Sequence, residues 1–262
     1  MRIGSTSYVY PADILPNVER LAGLVDDIEL VLFEVDEYGS NLPDATTVDR
    51  LNELAAIHGL TYTVHLPLDL RLADDGSAVH VSLEKAHKVI DRTSRLLPWG
   101  YIVHLNGDVL QDQPTPDQVK RWQERAQRSL EIVCTWLDDP RRLCLENVER
   151  WDPTAFAPIV QALPISRCVD VGHLWMQGAD PLEHLGAWME RTRVVHIHGL
   201  AERDHQSLAH MPPERLDPMV AFLVQGFRGV VTLEVFGEAD FFSSLAAWRA
   251  AVERVSRRWV KP

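Results

Sequence analysis

Arg167-Cys168-Val169-Asp170-Val171-Gly172-His173 is the segment that decides how this chain folds. It is a short apolar run that ends on a carboxylate and an imidazole. The same pattern recurs on both sides. Thr63-Val64-His65, Val103-His104-Leu105-Asn106-Gly107 and Leu145-Glu146-Asn147 precede it; His196-Ile197-His198-Gly199 and Leu233-Glu234-Val235 follow. With their flanks, and with two earlier runs, these form a set of eight strand-like segments: Arg2–Ser7, Ile28–Glu34, Leu60–His65, Tyr101–Leu105, Leu143–Asn147, Arg167–Val171, Val194–His198 and Val230–Phe236. Between them the apolar residues take helical spacing. Val48, Leu51, Leu54 and Ala55 mark one such segment, and Val119, Trp122, Ala126, Leu130 and Val133 a second. Leu182, Leu185 and Met189 mark a third, and Leu245, Trp248 and Val252 the last.

Near-continuous apolar strands alternating with helices describe a parallel sheet covered by helices. Eight units within 262 residues predict an α/β fold, a single (β/α)8 TIM barrel over residues 1–262. An open doubly wound sheet is the alternative, but no G-x-G-x-x-G follows any strand. The polar stretches Asp69–Ser77 and Asp108–Asp117 read as long loops after the third and fourth strands.

Composition narrows the function. Hydrophobic residues make up 46% and charged residues 24%, which excludes a disordered chain. No run reaches the roughly 18 apolar residues that a membrane span needs. The first residues enter a strand-like segment directly, without the pattern of a signal peptide. Twenty-six Lys and Arg against 38 Asp and Glu leave a net charge of −12, which repels a nucleic-acid backbone. Cys134, Cys144 and Cys168 are odd in number and lack C-x-x-C spacing, against a disulfide framework or thiolate zinc site. The expectation is a cytoplasmic protein with a small-molecule substrate, no nucleic-acid partner and no membrane. The oligomeric state is left open.

Six successive strands thus finish on His65, His104, Glu146, Asp170, His198 and Glu234, with His173 just after the sixth. Alternate residues of a barrel strand point inward, and functional groups gather at the C-terminal rim. Two residues back from the six lie Thr63, Ile102, Cys144, Cys168, His196 and Thr232, mostly small or uncharged, as an inner layer requires. Taken singly, each of the six has a plain structural explanation: a core histidine, a solvated loop carboxylate, or, for Asp170, a helix cap. Six such coincidences at equivalent positions are a different matter. Imidazoles and carboxylates converging on one pocket call for a cation, and mixed nitrogen and oxygen donors suit zinc, manganese or iron. His196 reads as a supporting or core residue. His58, His80, His87 and His184 fall in helices or loops, away from this set.

These motifs resemble the AP endonuclease family 2, or xylose isomerase-like, barrel superfamily, over essentially the whole chain. The resemblance rests on His65, H-L-N-G at His104, E-N at Glu146, D-V-G-H from Asp170 to His173, H-I-H-G at His198, and Glu234. It implies divalent metal ions. His65, His104 and Glu146 would hold one, and Glu146, Asp170, His198 and Glu234 a second, with Glu146 bridging. His173 would help hold a third with an Asp-x-His pair after the seventh strand. Here that loop reads Glu202-Arg203-Asp204-His205-Gln206, with Asp and His adjacent. His205 is the candidate ligand, and the expectation is two ions, with a third site left open.

Two cations about 3.5–4 Å apart generate a bound hydroxide and stabilise both oxygens of an in-line displacement at phosphorus. Neither G-x-S-x-G nor G-x-x-x-x-G-K-[ST] is present. The candidate catalytic residues are Glu146, Glu234 and His173. Two enzyme readings follow: hydrolysis of a phosphodiester, and isomerisation or epimerisation of a sugar or sugar phosphate with Glu146 and Glu234 moving a proton. A metal-stabilised binding protein is a third. His65 and His104 favour the hydrolase. Candidate substrate contacts are Tyr8, Glu34, Asn106, Asn147, Trp151 and Trp175, with Tyr10, Tyr38, Asn41 and Phe236 nearby; the two tryptophans are candidates for stacking on a planar ring. Arg71 and Arg203 are rim candidates for phosphate oxygens. The stretches 7–18 and 25–34, together with H-L-N-G, resemble the cobamide-remodelling phosphodiesterases of this superfamily. That implies the nucleotide loop of a vitamin B12-type cofactor as substrate.

Overall fold

The computed structural model describes residues 1–35, 39–111 and 113–259. Eight strands, β1 Arg2–Thr6, β2 Asp27–Val31, β3 Thr61–His65, β4 Gly100–Val103, β5 Leu143–Glu146, β6 Ser166–Asp170, β7 Thr192–Ile197 and β8 Val230–Leu233, close into a barrel. Every ladder of the barrel is parallel, each strand pairs with the next in sequence, and β8 returns to β1. The (β/α)8 expectation is met. Several expected runs extend one to three residues past the observed strands. His104, His198 and Glu234 sit just beyond the last ladder pairs, where the chain turns inward over the barrel mouth. The end of the expected second strand peels away into a short hairpin, Glu34–Val35 with Gly39–Ser40.

Strand tilt staggers the ladder. His65 pairs with Ile102, Glu146 with Cys168, and Asp170 with His196, so rim donors on adjacent strands are two residues out of register yet at one height. Inside, Ile102, Cys144, Cys168, Val194 and Val230 pack into an apolar floor with Trp99 beneath. Burial pushes the Cys144 thiol up to about 12 and raises that of Cys168 too, so both behave as small apolar groups. All three cysteines are free. The alternate residues Leu30, Val64, Val103, Leu145, Val169, Val195 and Leu233 face outward and form the main core with the helices.

All four helices marked by spacing are present: α2 Ala45–His58, α4 Pro116–Cys134, α7 Pro181–Trp188 and α9 Glu238–Trp259. Local chemistry sets their ends. Asp44 caps α2 and Gly59 closes it at φ 68°; Thr115 and Gln118 form a capping box on α4 behind Pro116. Four further helices, α1 Ile14–Leu21, α3 Val81–Thr93, α5 Ala157–Ala162 and α8 Pro213–Gly226, were unmarked by that reading. A short helix, α6 Val171–Met176, springs directly from β6. Among the described residues no helix is long and apolar enough to cross a membrane.

Candidate metal centre

The strand ends and the loops after them bring nine histidines and carboxylates into three overlapping groups at the barrel mouth. His65, His104 and Glu146 form the first, with ligand-type atoms within 4.8 Å of one another. Glu146 Oε2 lies 3.0 Å from His104 Nε2 and 3.6 Å from His65 Nε2. Glu146, Asp170, His196 and Glu234 form the second group, and Asp170, His173, His198 and His205 the third. Glu146 belongs to the first two and Asp170 to the last two.

This differs from the sequence expectation in one respect. His198 sits with Asp170, His173 and His205, and His196 takes the place beside Glu146 and Glu234. The cause is the strand itself. His196 is fully buried and points into the barrel, where Nδ1 lies 3.0 Å from both Glu146 Oε1 and Glu234 Oε2 and Nε2 lies 2.8 Å from Glu29 Oε2. It braces the two glutamates from below.

Ring orientation prepares donors. His65 Nδ1 lies 2.9 Å from the Leu66 carbonyl and His173 Nδ1 3.2 Å from that of Asn147, which leaves each Nε2 facing the centre. His104 Nδ1 faces Asp69, at 3.5 Å. For His198, Nδ1 has two suitors: the Gly199 carbonyl at 3.3 Å and the His205 N–H at 3.0 Å. Only the first leaves Nε2 free for an ion.

The electrostatics are those of a cluster assembled around positive charge. Burial raises the Glu146 pKa, but His196 and His104 outweigh it and hold the group well below the usual range. Glu234 is likewise held down by His196 and His205 against burial. In return, despite burial, Glu146 and Asp69 lift His104 to about 10, and Glu234 lifts His205 to about 10. Asp170 Oδ2 and His198 Nε2 are buried without a hydrogen-bond partner. Orphaned donor atoms of this kind, aimed at a common centre, are what a bound cation would satisfy.

Asp170 also does a second job. Its Oδ1 accepts from the His173 N–H at 2.7 Å and caps α6. Asp204 stands behind His205, its Oδ2 3.2 Å from Nδ1, and belongs to none of the three groups. The backbone takes φ 51° at His205, whose ring faces Glu234. Sequence reasoning missed Asp69 and Glu29, whereas it read His196 as a supporting or core residue. Asp69 sits in a loop with no strand periodicity to mark it, and Glu29 lies mid-strand where an apolar residue is expected.

Several rim candidates are placed differently from their expected roles. Trp151 and Trp175 are buried; the Trp151 ring fills the space a Cβ on Gly107 would occupy. Asn147 is fully buried and clamps β5 to β6 through the Asp170 backbone N–H and carbonyl. Glu34 is ion-paired with Lys88 at 2.6 Å and bonded to Ser40. Against burial, those partners lower its pKa. Asn106 donates to Asp108, Asn41 braces Phe33 and Val31, and Tyr10 packs under Arg20. Arg71 pairs with Asp74, and Arg203 is exposed beside the Asp204 carbonyl. Tyr38 lies outside the described residues. The exposed aromatic groups here include Tyr8 and Phe33, edge-on to each other at 5.5 Å, and Phe236, 5.4 Å from His205. Phe33, Phe236, Pro67 and Leu68 wall a cavity of about 280 Å³ whose floor includes His65, His104, His205 and Glu234.

Residues 20–259 match the family described as "xylose isomerase-like TIM barrel". No curated protein sequence matches the chain. Similar solved structures include a D-tagatose 3-epimerase-like protein, at 18% identity and TM-score 0.78, over 99% of this chain and 100% of that one. Endonuclease IV from Thermus thermophilus aligns at 18% identity and TM-score 0.70, over 97% and 100%. An L-ribulose 3-epimerase aligns at 20% identity and TM-score 0.68, over 100% and 99%. At these identities the likeness concerns the fold.

Proposed function

This chain belongs to the xylose isomerase-like TIM barrel family, and from that premise we propose that it is a metal-dependent hydrolase of a phosphodiester in a small molecule, with the nucleotide loop of a cobamide as substrate. The observation that carries this reading is the His65–His104–Glu146 group, which shares Glu146 with the group formed by Asp170, His196 and Glu234. An enzyme that only moves a proton has no evident need for that additional donor set.

His65, His104 and Glu146 would hold one divalent ion. Glu146, Asp170 and Glu234 would hold a second, and Asp170, His173, His198 and His205 have the donor set for a third. Zinc, manganese or iron suit these donors. Such ions supply Lewis acidity toward phosphoryl oxygens and acidify water. The chain's own residues do the rest. Asp69 and Glu146 fix the His104 ring from both sides. His196, seated on Glu29, holds both glutamates in place. Phe33 and Phe236 offer apolar faces at the cavity mouth to the body or base of a large substrate. The phosphate is met at the centre rather than by a basic surface, which fits a chain of net charge −12 and disfavours duplex DNA.

A second reading draws on Glu146 and Glu234, both 3.0 Å from His196 Nδ1, as an acid/base pair in a sugar epimerase. One experiment separates the two. Metal-reconstituted protein is incubated with a cobamide and with bis(p-nitrophenyl) phosphate, and in parallel with keto sugars and their phosphates. Release of the riboside, read by mass spectrometry, supports the hydrolase. Interconversion of the sugars without phosphodiester cleavage supports the epimerase and overturns the first reading.

A further inference from the structure

A larger cavity lies outside the metal centre, between the loop after β3 and helix α4. Its volume is about 490 Å³, the size of a small organic ligand. The Leu70–Leu105 backbone bridge separates it from the barrel mouth: Asp69 lines the metal-side cavity, while Leu70 and Arg71 line this one. Its apolar lining includes Leu70, Leu72, Val109 and Trp122.

Three guanidinium groups line the same cavity. Arg71 comes from the loop, and Arg121 and Arg125 from successive turns of α4. Arg71 is paired with Asp74, and Arg125 is hydrogen-bonded to the Ala73 carbonyl. Arg121 has no hydrogen-bond or ion-pair partner among the described residues. Asp108, the other carboxylate in the lining, is bonded to Asn106. In a chain of net charge −12, three arginines around an apolar floor form a local reversal of charge.

We propose that this cavity binds a phosphate monoester with an apolar or aromatic body, at a site separate from the metal centre. The body lies on Trp122, Leu70 and Val109, and the phosphate meets Arg121 and Arg125, with Arg71 as a third donor when it leaves Asp74. A carboxylate presents one edge to one guanidinium fork. A phosphate monoester has three terminal oxygens and can engage several forks together, which matches the number of arginines here.

The test uses 1-naphthyl phosphate as probe in isothermal titration with the intact protein. Saturable binding is expected, with 1-naphthol binding far more weakly. Arg121→Ala removes a charge-assisted contact and weakens binding about tenfold to a hundredfold. Arg121 is an exposed helix residue, so this variant keeps its fold, and an unchanged circular dichroism spectrum and melting point check that. Asp74→Asn frees Arg71 and tightens binding. Glu146→Gln leaves it unchanged. Absence of saturable binding overturns the proposal. So does equal affinity in Arg121→Ala, equal affinity for the naphthol, or loss of binding in Glu146→Gln, which would place the probe at the metal centre.

Discussion

Gly172→Ala should dismantle the third donor group while leaving the barrel standing. Gly172 sits in the first turn of α6, between Asp170 and His173. A Cβ there would lie 2.2 Å from both Cε1 and Nε2 of His198 and 2.6 Å from Cδ2. Ordinary contact begins near 3.4 Å, so the ring would have to retreat by about 1.2 Å. It has little room, being fully buried and stacked on His205 at 4.2 Å with an interplanar angle of 18°. A metal ligand tolerates displacement of only about 0.2 Å. The substitution is therefore expected to remove His198 as a donor and to lower activity on the order of 100-fold, as a misplacement near 1 Å does. Overpacking adds roughly 1–3 kcal/mol of destabilisation, a fall of about 2–4 °C in melting temperature per kcal/mol. Gly186→Ala in α7 is the control: nothing lies within 4 Å of its Cβ, and it should be neutral or stabilise by up to about 1 kcal/mol. Calorimetry, elemental analysis and turnover read all three effects. The reasoning fails if Gly172→Ala keeps wild-type melting temperature, metal content and activity.

Three further outcomes are expected. Glu146→Gln should cost more activity than His173→Ala, because Glu146 joins two donor groups and His173 one; equal losses in turnover would contradict the shared role. Metal uptake at neutral pH must displace protons from His104 and His205, whose pKa values in the ion-free protein are raised to about 10. Affinity should therefore climb with pH between 7 and 10, and titration in buffers of different ionisation enthalpy should register proton release; uptake without it would refute the reading of these two as ligands that are protonated before the ion binds. Asp27, fully buried beneath Thr61 and Thr63, has its pKa pushed up to about 7 by burial, against an ordinary 3.8. The folded state then holds a proton that the unfolded chain releases, so this group's contribution falls as pH rises from about 4 to 7, by about 4 kcal/mol in all. Asp27→Asn should abolish that slope in urea unfolding and gain stability at pH 7 relative to pH 4; parallel pH profiles for variant and parent would refute it.

The barrel was legible because its strands are buried on both faces. Val64, Val103, Leu145, Val169 and Val195 pack against helices while the intervening residues point inward, so each strand reads as a continuous apolar run. The rim donors were legible for a related reason: a charged residue terminating such a run stands out, and it did so six times. What the runs could not show was how far each side chain reaches across the mouth. His196 is in β7 and His198 just past its end, two residues on, and the first lies beside Glu146 and Glu234 while the second lies with Asp170 and His173. The rim loops were least legible. Trp151 and Trp175 follow donor strands as a stacking platform would, yet both are buried, while Phe33 and Phe236 are exposed.

The motif D-V-G-H shows how closely sequence and site are joined here. A strand that runs straight into a helix needs a cap, and Asp170 supplies it by accepting from the His173 N–H at 2.7 Å. The same carboxylate keeps Oδ2 buried, without a hydrogen-bond partner, toward the donor groups. Helical geometry after the cap brings His173 back over Asp170, with Nδ1 3.3 Å from Oδ2, so spacing of three residues is the spacing of one turn. The residue between them must leave room for a ring arriving from the next strand, and only glycine does. The loop after β7 solves the opposite problem. Asp204 and His205 are adjacent, and His205 reaches the group from a left-handed backbone at φ 51°. A donor group built from a capped helix and a left-handed loop residue depends on both conformations. His205→Gly would relax the second without supplying a ligand, whereas inserting one residue between Asp204 and His205 would ease the backbone and let Asp204 approach the group directly. Under the multinuclear reading, that insertion should raise the metal content of reconstituted protein or leave it intact. If instead the insertion empties the site while the fold persists, the placement of His205 by its φ 51° backbone, rather than an approach by Asp204, is what holds the ion.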